Sequence, residues 1–337
     1  MPLRQIEIVV PDEGKNEFEE LLKDGSVEHY WNNSSESSGY LLKALVDASK
    51  TEVFLDNAEK IIRKNEGYRI VITAVVATIP RIEKIEKDET DQEKKRAEPW
   101  EQPLRGIRVS REELYNDVQD SVQLNAVYIA MVTLSTIVAA LGVLRDSTAV
   151  VIGAMVIAPL LGPNVGLALS TTLGDLKLFI NSMKTNLTGL TVAFLLSLIL
   201  GMVLEVEASL YQIASRTDVH LSDIALALAS GAAGVLAYTI GMSAAVIGVM
   251  VAVALLPPLV TAGLLVGDSQ FELAYYAFLL LVTNVICVNL AAVTTFILQG
   301  VRPRSWYKAE KAKKINIIAF ITWFILVVVL GFVIWLS

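Results

Sequence analysis

One apolar segment rich in glycine and proline occurs twice in this chain of 337 residues. The first copy, VIGAMVIAPLLGPNVGLAL, begins at Val151, and the second, VIGVMVAVALLPPLVTAGL, begins at Val246. Ten of the nineteen aligned positions are identical without a gap, and the copies lie 95 residues apart. An internal repeat of this kind indicates two related structural units, each built around one copy.

Composition and segment length place the chain among membrane proteins. Hydrophobic residues make up 54% of it, which is too apolar for an ordinary soluble protein. Most of the charge lies before residue 120, and seven later segments approach the ~20 residues that cross a bilayer as a helix. These segments are 125–144, 148–170, 186–205, 221–241, 243–266, 273–298 and 315–336. The sequence therefore predicts an α-helical polytopic membrane protein with seven spans.

Basic residues predict the orientation of these spans, because Lys and Arg accumulate in cytoplasmic loops. They precede the first span, separate the second from the third and are densest between the sixth and seventh: Arg105, Arg108, Arg111, Lys177, Lys184, Arg302, Arg304, Lys308, Lys311, Lys313 and Lys314. The loops after the third and fifth spans are acidic instead. We therefore predict a multi-pass protein of the cell inner (cytoplasmic) membrane, with a cytoplasmic N-terminal domain and an external C-terminus.

The two copies occupy the second and fifth spans, so each repeat unit contains three spans. An odd number of spans inverts the second unit in the membrane, which gives a three-plus-three inverted repeat. The predicted transmembrane domain is 125–300, with repeats over about 120–205 and 215–300, and 315–336 is a seventh helix. In an alternative arrangement both copies are re-entrant hairpins, and the repeats are then parallel.

Proline and glycine interrupt both copies near their centres. Proline lacks a backbone N–H, and non-helical backbone inside a bilayer is tolerated only beside protein or a water-filled cavity. We therefore expect central helix breaks at Pro159–Asn164 and Pro257–Thr261. The candidate residues for binding a solute or ion are Pro159, Gly162, Pro163, Asn164, Pro257, Pro258, Thr261, Asn284 and Asn289. For any one of these residues, ordinary helix packing is the competing interpretation.

The N-terminal part of the chain has a different pattern. Strand-like and helix-like stretches alternate over residues 1–80 in the order βαββαβ, which predicts a ferredoxin-like α+β cytoplasmic domain. Mixed charges and two prolines predict a linker over 81–109. An amphipathic or pre-membrane helix is expected over 110–124, with one apolar face.

The absence of certain side chains and motifs argues against several classes of chemistry. Carboxylate, lysine and histidine side chains are nearly absent from them, which argues against a proton relay. The one cysteine, Cys287, and the scarcity of imidazole argue against a metal site, and no cofactor is expected. Hydrolase and nucleotide-binding motifs are missing, so we expect no enzymatic activity. Acidic residues interleave with the basic ones of the linker, so nucleic acid is not an expected partner.

The segment LRDSTAVVIGAMVIAPLLGPNVGLALSTTLGD resembles a prokaryotic integral membrane protein family catalogued as domain of unknown function three-eight-nine. The preceding SREELYNDVQDSVQLN is similar to the same family, and the resemblance covers about residues 108–300. It implies an integral membrane protein of a bacterium or archaeon. Because the family has no assigned activity, the resemblance carries no catalytic or binding residues over to this chain.

These observations favour a membrane transporter or channel for a small solute or ion. The neutral polar groups and the helix N-termini expected at the breaks suit an anion or a neutral solute. The N-terminal domain is expected to regulate the protein or to hold a homo-oligomer together. In the alternative function, the chain is a membrane-anchored sensor or scaffold, whose soluble domain binds the ligand and whose helices only anchor and oligomerise.

Overall fold

A computed structural model describes residues 3–10, 18, 21–22, 27–35, 39–62, 69–75, 110–242, 244–301 and 324–334 of the protein. The chain divides into two compact units, Met1–Arg111 and Glu112–Ser337. The predicted linker, the basic segment after the sixth span and the first part of the predicted seventh span lie outside the described residues. So do the side chains of residues 243–254.

The first unit contains a four-stranded antiparallel sheet. Its strands are β1 (Leu3–Val10), β2 (Val27–Ser35), β3 (Gly39–Asp47) and β4 (Arg69–Val75), in the order β2-β3-β1-β4. Helix α1 (Ala48–Ile62) follows β3. This strand order agrees with the split βαβ pattern expected from the sequence.

The core of the first unit follows from the alternation of side chains in its strands. Ile6, Ile8 and Val10 of β1 point to one face of the sheet, where Phe54 of α1 and Phe18 cover them. On the opposite face, Glu7 lies across from Lys43, with 2.6 Å between the carboxylate and the ammonium. The hydrogen bond from Lys43 lowers the pKa of Glu7.

The second unit is helical throughout the part that the structure describes. Its helices are α2 (Arg111–Ser121), α3 (Ala126–Leu144), α4 (Thr148–Ile157), α5 (Leu161–Leu173), α6 (Leu176–Val203), α7 (Tyr211–Thr217), α8 (Leu221–Thr239), α9 (Ala244–Gly267), α10 (Phe271–Leu298) and α11 (Phe324–Ile334). Among the described residues, α3, α6, α8 and α10 are long and apolar enough to cross a membrane, and α4 with α5 forms a fifth, bent candidate. The prediction of a mostly helical chain with several apolar spans and a small N-terminal sheet is confirmed.

One predicted boundary is wrong by three turns. The third span was expected to begin at residue 186, with Lys177 and Lys184 in the preceding loop, but α6 begins at Leu176. The carboxylate of Asp175 accepts the N–H of Leu178 at 3.0 Å and caps the helix there. Hydropathy detects the apolar part of a helix but not a polar extension of it, which explains why the predicted start is ten residues too late.

The helices of the second half repeat the bounds of those in the first half. α8 begins and ends 95 residues after α3, and α10 begins and ends 95 residues after α6. The turns repeat as well: the positive-φ residues Asp146 and Gly241 are equivalent, and so are Gly174 and Ser269. Each turn closes with the hydrogen bond of a Schellman motif, 2.8–3.1 Å long, from the N–H of Ser147, Met242, Asp175 or Gln270.

Polar contacts gather at two ends of the helical bundle. At the end that we call the Tyr115 end, the Tyr115 hydroxyl donates to the Asp175 carboxylate at 2.9 Å, which joins α2 to the α5–α6 turn. At the Arg216 end, Asp146 accepts the N–H of Gln212 at 2.8 Å, which joins the α3–α4 turn to α7. The two ends are separated by the length of α3, 19 residues or roughly 28 Å at 1.5 Å per residue.

Glycines allow α6 and α9 to pack closely. A Cβ atom at Gly201 would overlap the carbonyl oxygen of Leu264, and one at Gly263 would lie 2.5 Å from the Cβ of Ser197. Small residues of this kind let membrane helices approach backbone to backbone, where van der Waals contact replaces the hydrophobic effect as the main attraction.

We expect Gly201→Ala to destabilise the second unit by about 1–3 kcal/mol, because the added methyl group forces the two helices apart. Gly153→Ala is the matched control, since a Cβ at Gly153 meets nothing within 4 Å. The control should be neutral or stabilising by up to about 1 kcal/mol through helix propensity. Thermal unfolding of both purified variants in detergent measures the difference, and equal midpoints would contradict the packing described.

Candidate functional site

The first copy of the duplicated segment contains a helix break. α4 ends at Ile157, α5 begins at Leu161, and their axes differ by 54°. Pro159 lies in the break and supplies no N–H to the carbonyl group of Met155. Pro163 falls in the first turn of α5, where backbone N–H groups have no helical partner in any case. The break therefore covers residues 158–160, so it includes Pro159 of the predicted Pro159–Asn164 region, whereas residues 161–164 belong to α5.

The second copy forms one helix, so the expected break at Pro257–Thr261 is wrong. α9 continues through Pro257 and Pro258 to Gly267. The physical reason is the residue equivalent to Pro159, which is Ala254 and keeps its N–H. Each proline still leaves the carbonyl group four residues earlier without its helical donor.

The second half of each copy lies in the interior of the second unit. All side chains of residues 161–170 and 255–265 are buried, whereas α3, α6 and α8 each expose a face. Thr261 is fully buried, and among the described residues nothing pairs with its Oγ1. These parts of the two copies therefore lie at the centre of the bundle.

Asn164 and Asn289 meet in this interior. The Nδ2 of Asn289 lies 3.3 Å from the Oδ1 of Asn164, and it also donates to the Val285 carbonyl at 2.8 Å. The Nδ2 of Asn164 donates to the Leu160 carbonyl at 2.8 Å, beside the break. Among the described residues, none donates to the Oδ1 of Asn289, which is itself 1% exposed. A buried acceptor without a donor has a free-energy cost and is available to a ligand.

A cavity of about 160 Å³ opens near the Arg216 end and reaches the duplicated segment. It lies between α7, α8, α9 and α10, and its lining residues are Ser215, Arg216, Asp223, Leu226, Ala227, Pro258, Leu280 and Asn284. Pro258 and Asn284 form its inner part and are buried. The cavity is smaller than the roughly 300–1,000 Å³ of pockets for drug-sized molecules, so it fits a small solute or an ion.

One cationic and one anionic side chain border this cavity. The Arg216 guanidinium donates to the Gln212 carbonyl and, at 3.3 Å, to the Ser215 hydroxyl. Burial lowers the pKa of Arg216, while Tyr211 and Asp146 act in the opposite direction. The Asp223 carboxylate accepts the N–H of His220 at 2.8 Å and caps α8. The cavity wall therefore carries balanced charge together with amide and hydroxyl groups.

Four of the nine candidate residues fall into two groups. Pro258 and Asn284 border the cavity, whereas Asn164 and Asn289 contact each other. Asn284 and Asn289 lie on different faces of α10, as their separation of five residues requires. Gly162 packs against α2, where a Cβ would lie 2.7 Å from the side chain of Ser121.

Sequence reasoning did not select Arg216 or Asp223 as site residues. Arg216 lies in the acidic loop after the third predicted span, and Asp223 lies near the start of the fourth. No local pattern in the sequence indicates a role for Arg216, because its position depends on how α7 packs against α8 and α10. In the described part of the chain, no group of three or more His, Cys, Asp or Glu side chains lies where it could hold a metal ion.

The apolar helices and the bent pair are compatible with an integral membrane protein of the helical class. Residues 155–290 match the family model described as Domain of unknown function (DUF389). An uncharacterized protein of Methanocaldococcus jannaschii is 37% identical over 275 residues, which cover 80% of this chain and 81% of the relative. The chain therefore belongs to this family, as its sequence indicated. No solved structure matches it.

The contact between Asn164 and Asn289 should appear as an energetic coupling. We expect a double-mutant cycle with Asn164→Ala and Asn289→Ala to give about 0.6 kcal/mol, the average for interhelical hydrogen bonds in a membrane protein. Thr283→Ala is the control partner for Asn164, because the Thr283 hydroxyl donates within its own helix to Leu279 at 2.8 Å. Unfolding free energies in mixed detergent measure both cycles, and equal coupling in the two would contradict the contact.

Proposed function

We propose that this protein is a membrane transporter for a small polar solute, and that the cavity at the Arg216 end is its binding site. The observation that carries the proposal is how deeply this cavity extends into the helical bundle. It extends from charged residues near the bundle end to Pro258 of the duplicated segment and to Asn284. A helical anchor has no need of a polar cavity at its buried centre, whereas a transporter requires one.

We propose further that the chain crosses the membrane seven times, and hydrogen bonds at the two ends support this. The turn before α4 contacts α7 at the Arg216 end, and the turn after α5 contacts α2 at the Tyr115 end. The bent pair therefore connects opposite ends of the bundle, as a broken span does and a re-entrant hairpin does not. We propose that α9 also runs from one end of the bundle to the other, because its 24 residues are enough for a span.

The same contacts favour an inverted repeat. Tyr238, near the end of α8, lies close to Ser121 of α2 at the Tyr115 end, whereas the equivalent end of α3 lies at the Arg216 end. The turn after α9 hydrogen-bonds to Val206, in the segment before α7, through Gln270 at 2.9 Å. These contacts support opposite directions for helices with matching bounds in the two halves, which is the arrangement of many secondary transporters.

The orientation follows from charge. Lys177 and Lys184 of α6 lie toward the Tyr115 end, whereas Glu205, Glu207 and Asp218 flank α7 near the Arg216 end. By the positive-inside rule, the Tyr115 end faces the cytoplasm of a cell inner membrane and the cavity opens outside. The N-terminal unit is then cytoplasmic, and the C-terminus is external.

The solute class follows from the wall of the cavity. Arg216 and Asp223 offer one charge of each sign, and Ser215 and Asn284 add hydrogen-bonding groups. A solute with no net charge and with both donor and acceptor groups, such as a zwitterion, matches this wall without leaving a buried charge unpaired. The chemistry is binding and passage, with no catalytic step.

For the N-terminal unit we propose regulation or assembly of a homo-oligomer. β2 is an edge strand, and its Tyr30 and Trp31 side chains are 45% and 41% exposed. Unpaired edge strands with apolar side chains readily pair with a second copy.

Ligand-dependent stability of the purified full-length protein tests the proposal. We expect small zwitterions, such as amino acids, to raise the unfolding midpoint, since a ligand at a hundredfold excess over Kd stabilises by about 2.7 kcal/mol. Arg216→Gln should abolish the increase. Arg145→Gln, at an exposed arginine of the same end, should retain it. An increase that survives Arg216→Gln would contradict the site, and the absence of any increase with zwitterions, neutral polyols and inorganic anions alike would contradict the function.

A further inference from the structure

The repeat assigns an equivalent residue, 95 positions earlier, to each residue that lines the cavity. For the inner and lateral walls these equivalents are Tyr128 for Asp223, Met131 for Leu226, Val132 for Ala227, Pro163 for Pro258, Thr185 for Leu280 and Gly189 for Asn284. α7 has an equivalent too, the end of α2, so that Ser121 corresponds to Arg216. A related set of residues thus faces the Tyr115 end.

These equivalent residues are in direct contact with one another. The Tyr128 hydroxyl donates to the Thr185 carbonyl at 3.0 Å, and the Thr185 hydroxyl donates to the Val122 carbonyl at 2.7 Å. Gly189 accommodates the phenol group, because a Cβ there would overlap the Tyr128 hydroxyl. Tyr128 is 5% exposed and Val132 is fully buried. The space that is open at the Arg216 end is filled at the Tyr115 end.

We infer that the protein has a second, latent solute site at the Tyr115 end, formed by Tyr128, Val132, Thr185 and Gly189 and closed in this structure by the Tyr128 side chain. It would take the same small polar solute as the cavity at the Arg216 end. This inference rests on the proposed transport function. Exchange of conformation between two inverted units opens one site as it closes the other, which moves the solute from one end to the other.

Tyr128 is the residue that holds this site closed. Its hydrogen bond to Thr185 connects α3 to α6, so Tyr128→Phe removes a bond between these two helices and retains the ring. A hydrogen bond of ordinary net strength corresponds to about a fivefold change in an equilibrium. Gly189→Ala acts more strongly, because the added methyl group displaces the phenol group itself.

Matched cysteines report on the two sites. The native Cys287 is buried and is replaced by alanine in all variants. Ala227→Cys then probes the open cavity, and Val132→Cys probes the equivalent position 95 residues earlier. The reaction rate with a charged, water-soluble thiol reagent is measured for each cysteine in the purified full-length protein.

We expect A227C to react and V132C to be protected when Tyr128 and Gly189 are native. Tyr128→Phe should raise the reaction rate of V132C about fivefold without raising that of A227C. Gly189→Ala should raise the rate of V132C and lower the rate of A227C. Tyr275→Phe, at a 56% exposed tyrosine of α10, is the control and should change neither.

The contrary outcomes separate the two proposals. If V132C remains protected in both variants while A227C reacts, the latent site is refuted and the open cavity stands. An equal rise in the reaction rates of V132C and A227C also contradicts the inference. It would indicate general loosening of the bundle, whereas the inference requires one site to close as the other opens. If A227C itself fails to react, the cavity is not accessible to water and the proposed function fails with it.

Discussion

A backbone carbonyl group that has lost its helical donor cannot face lipid, because the bilayer offers no replacement hydrogen bond. The duplicated segment carries prolines in both copies, and these prolines oblige both copies to lie inside the protein. The structure satisfies this requirement: residues 161–170 and 255–265 are buried, and the more lipid-compatible helices α3, α6 and α8 surround them. The arrangement of the second unit depends on this constraint.

A buried, partly broken backbone is also a source of binding groups. Pro258 and Asn284 meet at the inner part of the cavity, and Asn164 and Asn289 meet beside the break in the first copy. The architecture that protects the prolines from lipid therefore brings polar groups to the centre of the bundle. In the proposed function the solute passes through this centre, which accounts for the cavity; a purely anchoring role leaves the cavity without a purpose.

Much of the fold was predictable from the sequence because it depends on periodicity and length. The strand order of the first unit follows from its βαββαβ pattern, and the bounds of α3 and α8 follow from apolar length. The start of α6 was missed because a cap at Asp175 lies outside the apolar run. A break was wrongly expected in α9 at its two adjacent prolines. The helix is continuous because Ala254, at the position equivalent to Pro159, keeps its backbone N–H. The role of Arg216 could not be predicted, since its position depends on how α7 packs against α8 and α10.

The central claim is that the two halves of the membrane unit are inverted. Leu176 and Phe271 test it most directly, since they are equivalent first residues of α6 and α10 and are 70% and 66% exposed. In protein lacking Cys287, each is replaced by cysteine and labelled in intact cells with a membrane-impermeant thiol reagent, before and after permeabilisation. The inverted arrangement predicts that F271C reacts in intact cells and that L176C reacts only after permeabilisation. Labelling of both from the same side of the membrane would contradict it.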